Sequence, residues 1–283
     1  MRATLKRIAI AGATLVALAI LGWLGVYLAS EALIVRRYTL PSSIVEASTR
    51  PAALERGARL ATVFGCRDCH GADLTGRMMQ AQPGLAIAAP SLVRFAARHS
   101  DADFDRAVRR GLTPSARAIW VMPSGAYVYM RDADLAAIIG YLRAQPVRGP
   151  VWPEPRFSMR ARLAVLAGRL APVDPYDLGR HPPLDAGPRY DGGRYLAAMA
   201  CSGCHATDLT GTSAAPDLKV AARYSRTQFF ALMRTGEVPR DHLAPRMARL
   251  ARTRFNVLKD YEIDALYAYL VARVKVETPG GTH

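Results

Sequence analysis

The four cysteines of the chain stand in two copies of one pattern, Cys66-Arg67-Asp68-Cys69-His70 and Cys201-Ser202-Gly203-Cys204-His205. Two thiols three positions apart lie on one side of a short helical turn. Each can form a thioether with a vinyl group of the same porphyrin, and the histidine next to the second thiol then lies under the ring as the proximal iron ligand. At the chain's own Cys and His frequencies one match is expected by chance about 0.001 times, and two are present. A zinc site would need its second pair about 15–20 residues from the first, but Cys69 and Cys201 are 132 positions apart. A thioredoxin-like pair expects a strand–helix–strand setting, and two disulfides give no reason for a histidine after each pair. The pattern therefore implies two covalently bound haem c groups. Cys66, Cys69, Cys201 and Cys204 would attach them, with His70 and His205 on iron.

The elements that must position these residues are duplicated as well. Counting from the cysteines, Gly57-Ala58-Arg59 falls level with Gly192-Gly193-Arg194, and Asp73-Leu74-Thr75-Gly76 with Asp208-Leu209-Thr210-Gly211. Ala89-Pro90-Ser91-Leu92 matches Ala215-Pro216-Asp217-Leu218, Ala97-Arg98-His99-Ser100 answers Ala222-Arg223-Tyr224-Ser225, Gly111 answers Gly236, and Tyr141-Leu142 answers Tyr269-Leu270. Each copy reads as helical. A helix over Leu54–Phe64 or Tyr195–Ala200 leads into the motif. A second, Asp101–Arg110 or Arg226–Arg234, ends at a glycine suited to a C-cap. A last helix starts at Asp132 or Asp260, each a plausible N-cap. Its apolar residues, Leu135, Ile138, Ile139 and Leu142 or Ile263, Leu266, Tyr267 and Leu270, keep helical spacing. Strand-like alternation is absent, so the expected fold class is all-α.

Residues Ile8–Ala29 form a run of 22 positions without a charge, about 33 Å as a helix and enough to cross a bilayer. Arg2, Lys6 and Arg7 precede it and Trp23 and Tyr27 lie near its far end, which keeps the N-terminus cytoplasmic and exports the rest. The run is longer than the core of a signal peptide, and no good small-x-small cleavage site comes after it. The expected organisation is a transmembrane anchor (1–30), an extended connector (31–51), one domain (52–145), a linker (146–185) and a second domain (186–276). Nine of the nineteen prolines fall within 146–190, where one helix, Met159–Leu170, is expected. The net charge is +15, and only Lys6, Lys219, Lys259 and Lys275 are lysines. Such a surface suits anionic lipid or an acidic protein; no nucleic-acid motif accompanies it, and no nucleic-acid partner is expected. The arginine-rich stretches Arg106–Arg110 and Arg246–Arg254 read as solvated faces by default, with docking faces as the alternative.

On these motifs the sequence resembles the class I cytochrome c family over residues 52–145 and 186–273, and more closely the multihaem, membrane-bound cytochrome subunits that serve periplasmic dehydrogenases. The resemblance implies two tandem small all-α domains after the transmembrane helix. It also implies a methionine from the loop before the last helix as sixth iron ligand. Met122, in Trp120-Val121-Met122-Pro123, and Met247, in Pro245-Arg246-Met247, fit that role, with Met130 and Met233 as rivals. Pro90 and Pro216 match the family proline whose carbonyl accepts a hydrogen bond from the proximal histidine. His99, His181, His242 and His283 are read as surface or structural residues, and Phe64, Tyr195 and Tyr269 as packing against helices or porphyrin. The implied function is electron transfer at the periplasmic face of a bacterial inner membrane. The partners would be a dehydrogenase or quinol donor and a cytochrome or oxidase acceptor, with possible membership of a dehydrogenase or oxidase complex. The competing reading is a dihaem peroxidase with one displaceable ligand. A haem-based sensor is disfavoured, since only about seven residues precede the membrane helix.

Overall fold

The structure is a computed structural model that describes residues 2–39, 45–172, 174–237 and 245–277. His242 and His283 lie outside the described residues. The uncharged N-terminal run sits within one helix, α1 (Arg2–Ile34), which is long and apolar enough to cross a membrane. Instead of ending near residue 30, α1 continues to Ile34, and the chain beyond it is tied down: Arg37 bridges to Arg117, and the Tyr38 N–H donates to the Ala116 carbonyl at 2.9 Å.

The first motif-bearing unit contains α2 (Pro51–Val63), α3 (Cys66–His70), α4 (Leu92–Arg98), α5 (Asp101–Arg110), α6 (Ser124–Tyr127) and α7 (Asp132–Arg143). Between α3 and α4 lies a hairpin, β1 (Arg77–Gln82) and β2 (Leu85–Ala89), and β3 (Arg156–Phe157) adds a third antiparallel strand beside β2. This small sheet corrects the expectation of a purely helical chain; the protein is mostly helical. The hairpin turns at Gly84, whose φ of +86° suits glycine. The proline-rich segment carries β3 and α8 (Met159–Leu166), four residues shorter than the expected helix because the chain turns at Ala167 and Gly168.

The second unit contains α9 (Asp191–Ala200), α10 (Ser202–His205), a 3-10 turn (Leu218–Arg223), α11 (Arg226–Thr235), α12 (Pro245–Leu250), a π-helical turn (Ala251–Phe255) and α13 (Asp260–Glu277). The repeated serines explain where α5 and α11 begin. Ser100 forms a capping box with Asp103 and Ser225 forms one with Gln228, while Gly111 and Gly236 end these helices in the left-handed conformation. Asp132 lies inside α7 rather than at its cap, a position held by Arg131; as a first-turn acid it still favours the helix dipole.

In both units the helix before the motif crosses the last helix at a glycine. A Cβ on Gly57 would stand 2.0 Å from the Ala137 carbonyl oxygen, and one on Gly193 would stand 2.0 Å from that of Ala265. The packing thus pairs Gly57 with Gly193, not with Gly192 as counting from the cysteines does. Gly65 is the cause. It stands in the left-handed region (φ +78°) as an additional residue between α2 and Cys66, whereas α9 runs straight into Cys201.

Corrected by that residue, the contact between the units has approximate two-fold character. Arg59 on α2 makes a two-pronged ion pair with Glu262 on α13, at 2.6 and 2.9 Å. At the equivalent positions, Tyr195 on α9 donates its hydroxyl to Asp134 on α7 at 2.6 Å. Phe64 meets the Tyr195 ring edge-on, and apolar residues of both units join one continuous core.

Candidate functional site

Each motif is presented by a one-turn helix, α3 or α10, and the repeated Asp-Leu-Thr-Gly segment holds it. Asp73 accepts from the Thr75 backbone and hydroxyl, as Asp208 does from Thr210. Gly76 and Gly211, which close the segment, donate their N–H to the carbonyls of His70 (2.7 Å) and His205 (2.9 Å). Leu74 and Leu209 take positive φ (62° and 68°), unusual for leucine, and both are fully buried. Their carbonyls accept from Leu92 and Leu218, which brings the next helical segment under the motif.

The histidine rings are oriented alike. His70 Nδ1 lies 2.7 Å from the Pro90 carbonyl oxygen and His205 Nδ1 lies 2.6 Å from that of Pro216. A carbonyl can only accept, so each Nδ1 carries the hydrogen and each Nε2 keeps its lone pair, as a metal-bound imidazole requires. Burial lowers the pKa of both rings, with the proline bonds acting the other way. Burial raises the Cys66 thiol to about 11 and the Cys201 thiol to about 12, and it raises Cys69 as well. A reactive redox dithiol would show the opposite displacement.

A cavity of about 1090 Å³ opens beside the first motif. That is at or above the upper end for ordinary small-ligand pockets and suits a bulky planar group. Cys66, Cys69 and His70 form one side, and Met122, Tyr127 and Met130 line it as well. The hairpin contributes Met79 and Ile87, the end of α1 contributes Ile34, and Val35 just beyond it lines the cavity too. The same cavity reaches Gly203 and Cys204 of the second motif, with Arg249 and Arg254 on its wall. Attachment thiols, a neutral imidazole with a free Nε2 and this largely apolar space fit a covalently held haem.

The sequence model of the cytochrome c family matches residues 190–273. The second unit is a cytochrome c domain. No curated protein matches the chain. A cytochrome c domain implies covalently bound haem c and electron transfer through it. In this domain Cys201, Cys204, His205 and Pro216 occupy the positions just described. Met247 lies on α12 instead of in an open loop, is half-buried, and packs against the common core. Met233 is buried on α11. In the first unit Met122 sits in irregular chain just before α6 and is half-buried, whereas Met130 is 5% exposed and part of the core. His99 packs on Phe95 near Asp103, and His181 is exposed in the linker.

Two features were not foreseen from the sequence. The Asp-Leu-Thr-Gly repeat was visible, but its task of fixing the motif histidine was not. Arg254 belongs to a stretch read as a solvated face, yet its side chain is 12% exposed and turned between the two motifs. Arg109 in the other arginine-rich stretch is buried too, paired with Asp105 and Asp132. Spacing carries no signal for Arg254, whose partners come from elsewhere in the chain, whereas the Asp105–Arg109 pair has the i,i+4 spacing that a sequence can show.

Proposed function

We propose that the chain is a dihaem c-type cytochrome of two tandem class I domains, held by α1 in a bacterial inner membrane with both domains in the periplasm. It takes electrons from a dehydrogenase or quinol and passes them to a cytochrome or oxidase, alone or as a subunit of such a complex. The observation that carries this reading is the duplication of one local geometry: motif, Asp-Leu-Thr-Gly clamp and histidine-to-proline hydrogen bond recur in both units.

Haem, when bound, supplies one-electron cycling between ferric and ferrous iron. The chain's own residues do the rest. Cys66 and Cys69, or Cys201 and Cys204, fix the macrocycle. His70 and His205 offer Nε2 while the proline carbonyls hold the rings and strengthen their donation. Met122 and Met247 would be the further residues holding the irons, and methionine there would raise the potential and close the iron to other ligands.

The anchoring reading is supported by how α1 leaves the membrane. Arg162 of α8, itself buried, donates to the Ser30 hydroxyl at 2.9 Å, pairs with Glu31 at 2.8 Å and stacks 4.0 Å from the Tyr27 ring centroid. A helix removed by cleavage would leave this arginine buried without those partners.

Co-expression with a haem-maturation system, a haem count, and electron paramagnetic resonance before and after cyanide test the proposal. Two low-spin haems that resist cyanide are expected, and Met122→Ala should render one of them high-spin or cyanide-binding. A wild-type haem that binds cyanide readily would replace the carrier with a peroxidase-like enzyme.

A further inference from the structure

Arg254 bonds with the approach to each motif at once. Its Nε donates to the Val63 carbonyl at 2.6 Å, and its Nη2 donates to the Ala200 carbonyl at 3.0 Å. Val63 is the last residue of α2 and Ala200 the last of α9, so both acceptors are helix C-terminal carbonyls without a partner inside their own helix. Its Nη1 stands 3.5 Å from Asp68 Oδ2, within the first motif.

The surroundings fit this placement. Gly65 leaves room for the guanidinium, since a Cβ there would come within 2.8 Å of its carbon, and its positive φ suits glycine in any case. Arg254 lies on the π-helical turn, where the Asn256 N–H reaches the Ala251 carbonyl at 2.9 Å. An inserted residue of this kind rotates the downstream side chains relative to those of an unbroken α-helix, and Arg246, Arg249 and Arg252 on the same segment are exposed.

We propose that Arg254 is a positioning residue that clamps the two haem-attachment loops in one fixed relation and holds a positive charge acting on both irons. The proposal rests on the dihaem reading. A cation at low local dielectric favours the less positive, ferrous state, so Arg254 raises both potentials. Asp68 offsets part of that effect at the first site only. The planar fork of arginine addresses three acceptors in fixed directions, which a lysine ammonium on a flexible stem does not.

The test compares wild type, Arg254→Gln and Arg254→Lys in the haem-loaded full chain. It reads the haem count, the potential of each haem, and the rate of electron exchange between them after flash reduction. In Arg254→Gln both potentials fall. In Arg254→Lys the potentials stay nearer wild type while exchange slows, because the ammonium no longer holds the two loops in one relation. A glutamine variant that keeps two haems and leaves either potential unmoved overturns the proposal. If that variant does not fold, the lysine variant decides, and unchanged exchange in it overturns the proposal equally. A wild-type chain with a single haem would instead sink the dihaem reading, and the haem count separates the two failures.

Discussion

The two motif-bearing units share a helix crossing and a histidine clamp, and they part company between the histidine and its proline. Twenty residues separate His70 from Pro90, but eleven separate His205 from Pro216. In the second unit the shorter path closes with one bridge between Thr212 and Ala215. In the first, the extra length becomes the β1–β2 hairpin, which walls the cavity and recruits β3 from the linker. Helix α8 comes directly after β3 and packs on α1, so the insertion ties the first unit to the apolar N-terminal helix. The residues that orient the imidazole are duplicated closely, while the segment around them is free to vary. The same insertion is where the first unit departs from the spacing of the cytochrome c domain at 190–273.

The most drastic way to break the comparison is to remove the thiols of one unit at a time. Cys66→Ser with Cys69→Ser, and Cys201→Ser with Cys204→Ser, should each lower the covalent haem count by one. If the first pair can be removed without losing haem, only the cytochrome c domain at 190–273 holds one.

The helix crossings come next. Gly57→Ala and Gly193→Ala push a Cβ into a backbone carbonyl and should each destabilise the protein by about 1–3 kcal/mol, as overpacking does. Gly192→Ala meets nothing within 4 Å and should be neutral or stabilising by about 0.4–1 kcal/mol. Thermal denaturation of the three variants checks the one-residue offset; a destabilised Gly192→Ala beside an unaffected Gly193→Ala would restore the alignment counted from the cysteines.

The inter-unit contacts should show the smallest effects and sharpen the two-fold comparison. Arg59→Ala leaves the buried Glu262 without its cation and should cost about 2 kcal/mol, whereas Tyr195→Phe removes one hydrogen bond to Asp134, which keeps Arg56, and should cost about 1 kcal/mol. Denaturant titration measures both; equal losses would mean that the charge on Arg59 adds nothing over a neutral donor.

Much of this was legible without coordinates. The cysteines and histidines obey a local chemical rule, and Ser100, Gly111, Ser225 and Gly236 mark helix ends because caps act over one turn. The hairpin was not legible. Its strand residues Leu85, Ile87 and Ala89 face the core, but two short strands in a helical chain give too few alternations to stand out. Met247 was placed in a loop because the family resemblance expects the methionine there, yet the structure puts it on α12, where Pro245 is at home in the first turn.

The sequence by itself determined where the two Cys-x-x-Cys-His motifs lie, that the segments around them recur, and that an apolar helix precedes them, because each of these rests on spacing within a few turns. Tertiary structure alone decided that Gly57 answers Gly193, that Arg162 holds the end of α1, and that Arg254 joins the two motifs. These pairings link residues from 54 to 191 positions apart, and they depend on the angle at which one helix crosses another, which no local pattern encodes.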